Sequence, residues 1–308
     1  MAISKRFPAD HHGPLLPPPG LAQAWATNPG AQLADLADEA VVGVLKQQRD
    51  SWISVVTDGE LRRRPGTAPD VVAEARFLTG HTDLAAKIRV PREAGRGGEP
   101  GAIVAPGILP ALLDLSVRYI QLDGAAYGPL IHQAGRQALL AQGVDPDRRL
   151  EGLLDRDRAA LRGVEDVTGV KVAVCLHDVA DLTAAPFQQG LDFVAAEKVL
   201  HGLAADRFLF DCGRDADDDF AFLGLAPAHV DLVLGLIDGQ ATHLPDPDEL
   251  VARIDAAAAV VDTDRLSLSP RHGLYPVAGQ DPAAGWARQK AVFDLLLDGA
   301  SRAWGIDF

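Results

Sequence analysis

The sharpest chemical feature of the sequence is Cys175-Leu176-His177, at the end of an apolar run. Residues two apart on a strand project to the same side, so the thiol and the imidazole can converge on one point. Both are good ligands for zinc or a similar borderline metal. Asp211 closes the next apolar run, and His272 follows the last one in Ser269-Pro270-Arg271-His272-Gly273. One sulfur, two nitrogens and one carboxylate are enough for a tetrahedral site. The competing reading makes Cys175 a small buried hydrophobe and His177 a polar group that satisfies a loop. A lone Cys-x-His does not separate the two. Other apolar runs also finish in titratable groups: Asp10, His11 and His12; Asp58 and Glu60; Asp123; and Asp238. The His11-His12 doublet offers a ligand or a base, against which stands the general mobility of chain ends.

These residues need elements to position them. Short apolar runs alternate with longer amphipathic patterns along almost the whole chain, the signature of parallel strands joined by crossover helices. Strands are expected at Ser54–Val56, Tyr119–Leu122, Lys171–Leu176, Phe208–Phe210, Leu232–Ile237 and Leu266–Leu268, with weaker ones near Phe7–Asp10 and Ala102–Ala105. Helices are expected at Gln32–Gln48, Pro110–Val117, Leu150–Arg162, Ala195–Leu203, Pro247–Val260 and Pro282–Ala303. Asp246 before Pro247 and Asp281 before Pro282 are helix-start signals. Eight strand–helix units in about 300 residues match a (β/α)8 barrel, although a doubly wound open sheet has the same periodicity. In a barrel the residues at strand ends face one mouth, where the chemistry lies.

Composition narrows the function classes. The net charge of −14 argues against a nucleic-acid partner, since the basic cluster Arg62, Arg63 and Arg64 is too small a cationic footprint. No run approaches the roughly 18 apolar residues of a membrane-spanning helix. Lys5 and Arg6 lead into polar, proline-rich sequence, so no signal peptide is expected and the setting is read as cytoplasmic. With two cysteines, Cys175 and Cys212, the chain is no disulfide scaffold. Pro91–Gly101 is glycine-rich but lacks the Gly-Lys-Ser/Thr ending of a phosphate loop, and reads as a surface loop. The acidic run Asp215, Asp217, Asp218 and Asp219 reads as solvated. No Gly-x-Ser-x-Gly elbow or His-Glu-x-x-His helix occurs. No repeat or linker divides residues 1–308, which are read as one domain.

Taken in order, several segments resemble the catalytic C-terminal barrel of the cobalamin-independent methionine synthase family. Val56-Thr57-Asp58-Gly59-Glu60-Leu61-Arg62-Arg63 resembles its Thr-Asp-Gly-Glu-x-Arg-Arg segment, and Tyr119-Ile120-Gln121-Leu122-Asp123 its Ile-Gln-Ile/Leu-Asp strand. Val233–Asp238 with Asp248–Ile254 resembles the stretch before the last metal ligand, and Asp264–Pro270 the strand that runs on into it. The resemblance implies a UROD/methionine-synthase-like (β/α)8 TIM barrel. It also implies a zinc site, with Cys175, His177, Asp211 and His272 at the positions of the family's ligands but with all four identities changed. One thiolate, one carboxylate and two imidazoles leave a divalent ion formally neutral, which makes it a stronger Lewis acid than the family's set. Glu60 and Asp123 match carboxylates that grip a substrate ammonium, with His11 and Asp58 beside them on the substrate side. Asp238 lies near a proton-donating position, with His12 a second candidate. His11-His12-Gly13-Pro14 departs from the family's His-x-Gly-Ser, and Gly124 stands where the family has glutamate. The function implied is zinc-dependent transfer of a methyl or other alkyl group to a metal-activated thiol, with small-molecule partners and a default isologous dimer. The alternatives are a metal-dependent lyase or hydrolase that activates water or a carbonyl, and a non-catalytic small-molecule-binding barrel.

Overall fold

The computed structural model describes residues 7–27, 33–63, 68–95, 99–163, 167, 169–178, 186–213, 220–275 and 281–305. Arg64, residues 96–98 of the glycine-rich loop and the acidic run Asp215–Asp219 lie outside the described residues.

The chain opens with helices α1 (Pro19–Thr27) and α2 (Leu33–Asp50), then strand β1 (Val55–Val56), helix α3 (Val71–Thr79) and strand β2 (Ala85–Val90). Helix α4 (Ile108–Asp114), strand β3 (Tyr119–Asp123), helices α5 (Gly128–Ile131), α6 (Gln133–Ala141) and α7 (Pro146–Leu161) and strand β4 (Lys171–Cys175) follow. The last third holds α8 (Phe193–Gly202), β5 (Arg207–Asp211), β6 (Asp231–Ile237), α9 (Pro247–Ala258), β7 (Leu266–Pro270) and α10 (Pro282–Trp304). Helix starts follow a common chemistry. Asp70, Asp145, Asp192, Asp246 and Asp281 each accept a hydrogen bond from a backbone N–H of the first turn, and three are followed by proline at the first helical position.

The strands pair in sequence order, each parallel to the next, in one seven-stranded sheet. All their C-terminal ends therefore lie at one end of the sheet. The sheet is curled. Val55, Tyr119, Ala173, Cys175, Leu209 and Val233 pack with Phe7 into one inner cluster, and Asp10, next to the bridge with β7, reaches Lys87 of β2, Tyr119 of β3 and Arg207 of β5, which a flat sheet would not allow. Alternate residues such as Ile88, Ile120, Val174, Phe208 and Leu234 face outward into the larger core under the helices.

Two expected strands are corrected. Ala102–Ala105 is a buried coil: Ile103 N–H donates to Asp157 Oδ1 at 2.8 Å, so the run's hydrogen bonding goes to a helix side chain instead of the sheet. The strand in that part of the chain is Ala85–Val90, whose inward Lys87 and Arg89 disguise it. Phe7–Asp10 makes a single parallel bridge, Ala9 to Leu268, with Asp10 N–H donating to Leu268 O and Leu268 N–H to Pro8 O. Pro8 has no N–H to extend that ladder. Among the described residues no strand pairing joins this segment to β1, so the observed sheet is seven strands and a bridge where eight strands were expected.

Among the described residues no helix is long and apolar enough to cross a membrane.

Candidate functional site

The candidate residues collect at the C-terminal ends of the strands. Asp123 and Cys175 are register partners on β3 and β4, and Asp211 faces Gly235 across β5 and β6. Thr57 and Asp58 follow β1, His177 follows β4, Asp238 follows β6, and Arg271 and His272 follow β7. His11 and His12 follow the Ala9 bridge, and both are buried. The doublet is therefore fixed in the interior.

His177 lies beside the thiol, with Cys175 Sγ 3.6 Å from Nδ1 and 3.7 Å from Nε2. Its Nε2 lies 3.0 Å from His12 Nε2, which in turn lies 2.8 Å from Arg271 O. A carbonyl only accepts, so His12 Nε2 carries the hydrogen. His177 Nε2 is then the lone-pair atom, and His12 keeps an acceptor at Nδ1, which finds no partner among the described residues. Burial holds His177 down to about 4 and His12 well below its usual value, so both rings are neutral near pH 7. Burial pushes the Cys175 thiol up to about 12. The ring of His272 stands 5.9 Å from that of His177.

Arg271 organises the adjoining wall. Its Nε donates to Asp211 Oδ1 at 2.5 Å and its Nη2 to Oδ2 at 3.0 Å, while Nη1 stands 3.8 Å from Asp238 Oδ2. His272 Nε2 lies 3.3 Å from Asp211 Oδ2. The approach of this segment to β5 and β6 depends on Gly235. A Cβ there would stand 2.7 Å from Phe210 O and 3.0 Å from Arg271 Cα.

The substrate-side residues form a second group. Arg89 Nη1 donates to Glu60 Oε1 and Oε2 at 3.0 and 2.9 Å, and Nη2 to Asp123 Oδ2 at 3.3 Å. Arg63 pairs with Glu60 at 2.6 Å and with Glu74 at 2.9 Å. Glu60 sits at φ 59°, a left-handed conformation unusual for a non-glycine residue and held here by its paired side chain. Asp58 Oδ1 accepts from Glu60 N–H at 3.0 Å; burial and the charge of Glu74 push its carboxyl up to about 6. His11 Nε2 lies 2.9 Å from Gln48 Oε1, whose amide is oriented by bonds to both N and O of Thr57. His11 therefore donates from Nε2, and burial holds its ring down to about 4. His11, Asp58, Glu60 and Arg89, with Lys87 and Gln121, line a narrow cleft.

Beneath the cleft, Asp10 takes Lys87 Nζ at 2.7 Å and Tyr119 Oη at 2.5 Å, with Arg207 Nη1 at 3.4 Å, all fully buried. Burial raises the Asp10 carboxyl, but the charges of Lys87 and Arg207 outweigh it and hold the group below the usual carboxylate range.

The donor set can be tested against a metal. Tetrahedral zinc bonds of about 2.3 Å to sulfur and about 2.05 Å to nitrogen place those two ligands about 3.5 Å apart. The Cys175–His177 separations of 3.6 and 3.7 Å match, and the 3.3 Å between His272 and Asp211 suits a nitrogen–oxygen pair. Arg271 engages both oxygens of Asp211, and among the described residues no three such side chains yet converge on one point. The residues fit a borderline divalent ion in type and in pairs. For Asp211 to join them, it would have to leave Arg271.

Sequence reasoning assigned no role to Arg89, Lys87, Gln121 or Arg271. The period-two alternation of Lys87 and Arg89 with Ala86, Ile88 and Val90 is the signal that finds the first two. The partners of Arg271 and the place of Gln121 are set by tertiary packing alone.

No family model matches the chain. Two Bacillus subtilis (strain 168) proteins, "Uncharacterized protein YxjH" and "Uncharacterized protein YxjG", are each 24% identical to it. The matches cover 95% and 87% of this chain and 94% and 86% of theirs. Among solved structures, the "Putative Vitamin-B12 Independent Methionine Synthase from Listeria monocytogenes" superposes with a TM-score of 0.73 at 20% identity, covering 97% of this chain and 98% of that one. A B12-independent methionine synthase from Shewanella sp. W3-18-1, in complex with selenomethionine, gives 0.65 at 15% identity, covering 96% and 97%. These likenesses show the fold. Over nearly its whole length this chain is built like methionine-synthase-like proteins.

Proposed function

We propose that this chain is an enzyme that transfers a methyl or other alkyl group to a metal-activated thiol, on a methionine-synthase-like barrel. The observation that carries the reading is the juxtaposition of Cys175 and His177, at ligand spacing, with His12 and His272 at the strand-end mouth. Cys175, His177 and His272 would hold zinc, with Asp211 as the fourth donor. Bound there, zinc supplies Lewis acidity that lowers the pKa of a thiol.

The chain's own residues do the rest. The neutral state of His177 gives it an Nε2 lone pair that could coordinate once the His12 N–H turned wholly to Arg271 O. His12 stands beside the same point, and its Nδ1 is open to accept a hydrogen bond from an incoming donor. Arg271 holds Asp211 and faces Asp238, so it would keep Asp238 as a carboxylate neighbour if Asp211 served as a ligand. The substrate's polar end lies in the cleft lined by His11, Asp58 and Glu60, with Asp123 behind Arg89.

A second reading rests on the Asp211–Arg271 pair. A carboxylate already shared with a guanidinium donates less negative charge, which favours water activation or carbonyl polarisation by a lyase or hydrolase. Cobalt substitution separates the two. An additional sulfur-to-cobalt charge-transfer band on adding a thiol, beyond that of Cys175 itself and lost in His272→Ala, supports the transferase. Turnover of an ester or carbonyl substrate with no such band for any thiol overturns it.

A further inference from the structure

Two carboxylates that face a common point form a seat for a cation, and Glu60 and Asp123 do so. In this chain the seat is filled from within. Arg89 reaches Glu60 with one terminal nitrogen and Asp123 with the other, and Arg63 also pairs with Glu60. Arg89 is anchored on β2 in register with Gln121 of β3, so its position is set by the sheet. An incoming ammonium would have to displace a guanidinium that already satisfies both acids, and would meet its like charge on the way.

Gln121 points to what the cleft receives instead. Its side chain is fully buried, lines the same cleft, and neither its oxygen nor its nitrogen has a partner among the described residues. A buried amide is costly unless something pairs with it. One donor and one acceptor side by side suit an uncharged group that can both give and take a hydrogen bond, such as a hydroxyl or an amide.

We propose that Arg89 determines specificity in this cleft: its guanidinium occupies the seat between Glu60 and Asp123 that a substrate ammonium would take, and the substrate presents an uncharged hydroxyl or amide to Gln121. This names the substrate class of the cleft. It rests on the cleft being the substrate site, but not on a metal or on the reaction.

The first experiment needs neither thiol nor metal. Thermal unfolding of wild type, Arg89→Ala and Arg89→Ser is compared in methylammonium chloride and in sodium chloride at equal ionic strength. The variants, which take Arg89 out of the seat, gain melting temperature in methylammonium, and wild type does not. Equal stabilisation of wild type overturns the proposal, because a seat would then be open beside Arg89. Absence of any gain in both variants overturns it as well.

The second experiment uses calorimetric binding of 2-hydroxy-4-mercaptobutyrate and of its 2-amino counterpart, which differ only in hydroxyl against ammonium. Wild type binds the hydroxy acid at least tenfold more tightly, and the ratio falls to one or below in Arg89→Ala. A wild-type preference for the amino acid overturns the proposal. Gln121→Leu weakens the hydroxy acid without altering the methylammonium response. Failure of the thiol-transfer reading leaves the first experiment untouched.

Discussion

Replacing Asp10 by Asn tests the electrostatic floor of the site. The change keeps size and hydrogen-bonding shape but removes the negative charge shared by Lys87 and Arg207. All three residues are fully buried, so neither cation can turn to water. Lys87 retains only the dipole of His11 O at 2.7 Å, whereas Arg207 keeps the Asp231 carboxylate at 3.8 Å besides Phe7 O at 3.3 Å, so Lys87 is the cation left without a charged partner. Breaking a buried pair in this way costs about 3–5 kcal/mol. An unfolding entropy of about 2.1 cal/mol/K per residue gives about 0.65 kcal/mol/K for a chain of this length, so the melting temperature should fall by about 5–8 °C. Differential scanning calorimetry with urea unfolding measures both quantities. The pH dependence has a definite sign. Asp10 has its folded pKa depressed, so its contribution is complete above the unfolded value of about 3.9 and is lost as pH falls through the lower folded value. The gap between wild type and Asp10→Asn stays constant from about pH 8 to 5 and closes in acid. Adding Lys87→Met removes that stranded cation, so the double variant loses less than the sum of the singles. A loss below about 1 kcal/mol, or strict additivity, refutes the reasoning.

Two further outcomes follow from single contacts. His11 is buried and neutral with a folded pKa of about 4, so acid favours the unfolded chain, which takes its proton near 6.5. The stability advantage of wild type over His11→Gln should shrink by about 1.4 kcal/mol per pH unit between about pH 6.5 and 4, and a pH-independent difference contradicts that assignment. Gly235→Ala forces a Cβ against Phe210 O and the Arg271 backbone. It should cost about 1–3 kcal/mol and weaken metal binding together with stability, as denaturation and metal titration would show.

Much of the framework is legible in the residues. Asp246-Pro247 and Asp281-Pro282 start helices because a side-chain oxygen and a preset φ solve the first turn locally. The runs at Tyr119, Lys171, Phe208, Leu232 and Leu266 became strands because they are long and apolar enough to be covered on both faces. Ala85–Val90 escaped because Lys87 and Arg89 point into an interior that is itself charged, so a buried strand reads as an exposed one. The apolar Ala102–Ala105 was misplaced because periodicity does not distinguish burial in the sheet from burial under helices.

The site divides the same way. That Cys175, His177, Asp211 and His272 share one end of the sheet follows from strand order. That Asp211 is held by Arg271, and Asp123 by Arg89, does not. Those partners are 60 and 34 residues apart, and only the rolled sheet brings them together.

Metal content is the most direct test of the central claim. Wild type and Cys175→Ser/His177→Ala would be purified in parallel, reconstituted with zinc, desalted and measured by plasma mass spectrometry. About one zinc per chain in wild type, lost in the double variant while the fold is retained, is the result expected of a strand-end metal centre. Wild type without metal after reconstitution, or a double variant that keeps it, would contradict the metal assignment and with it the proposed thiol activation.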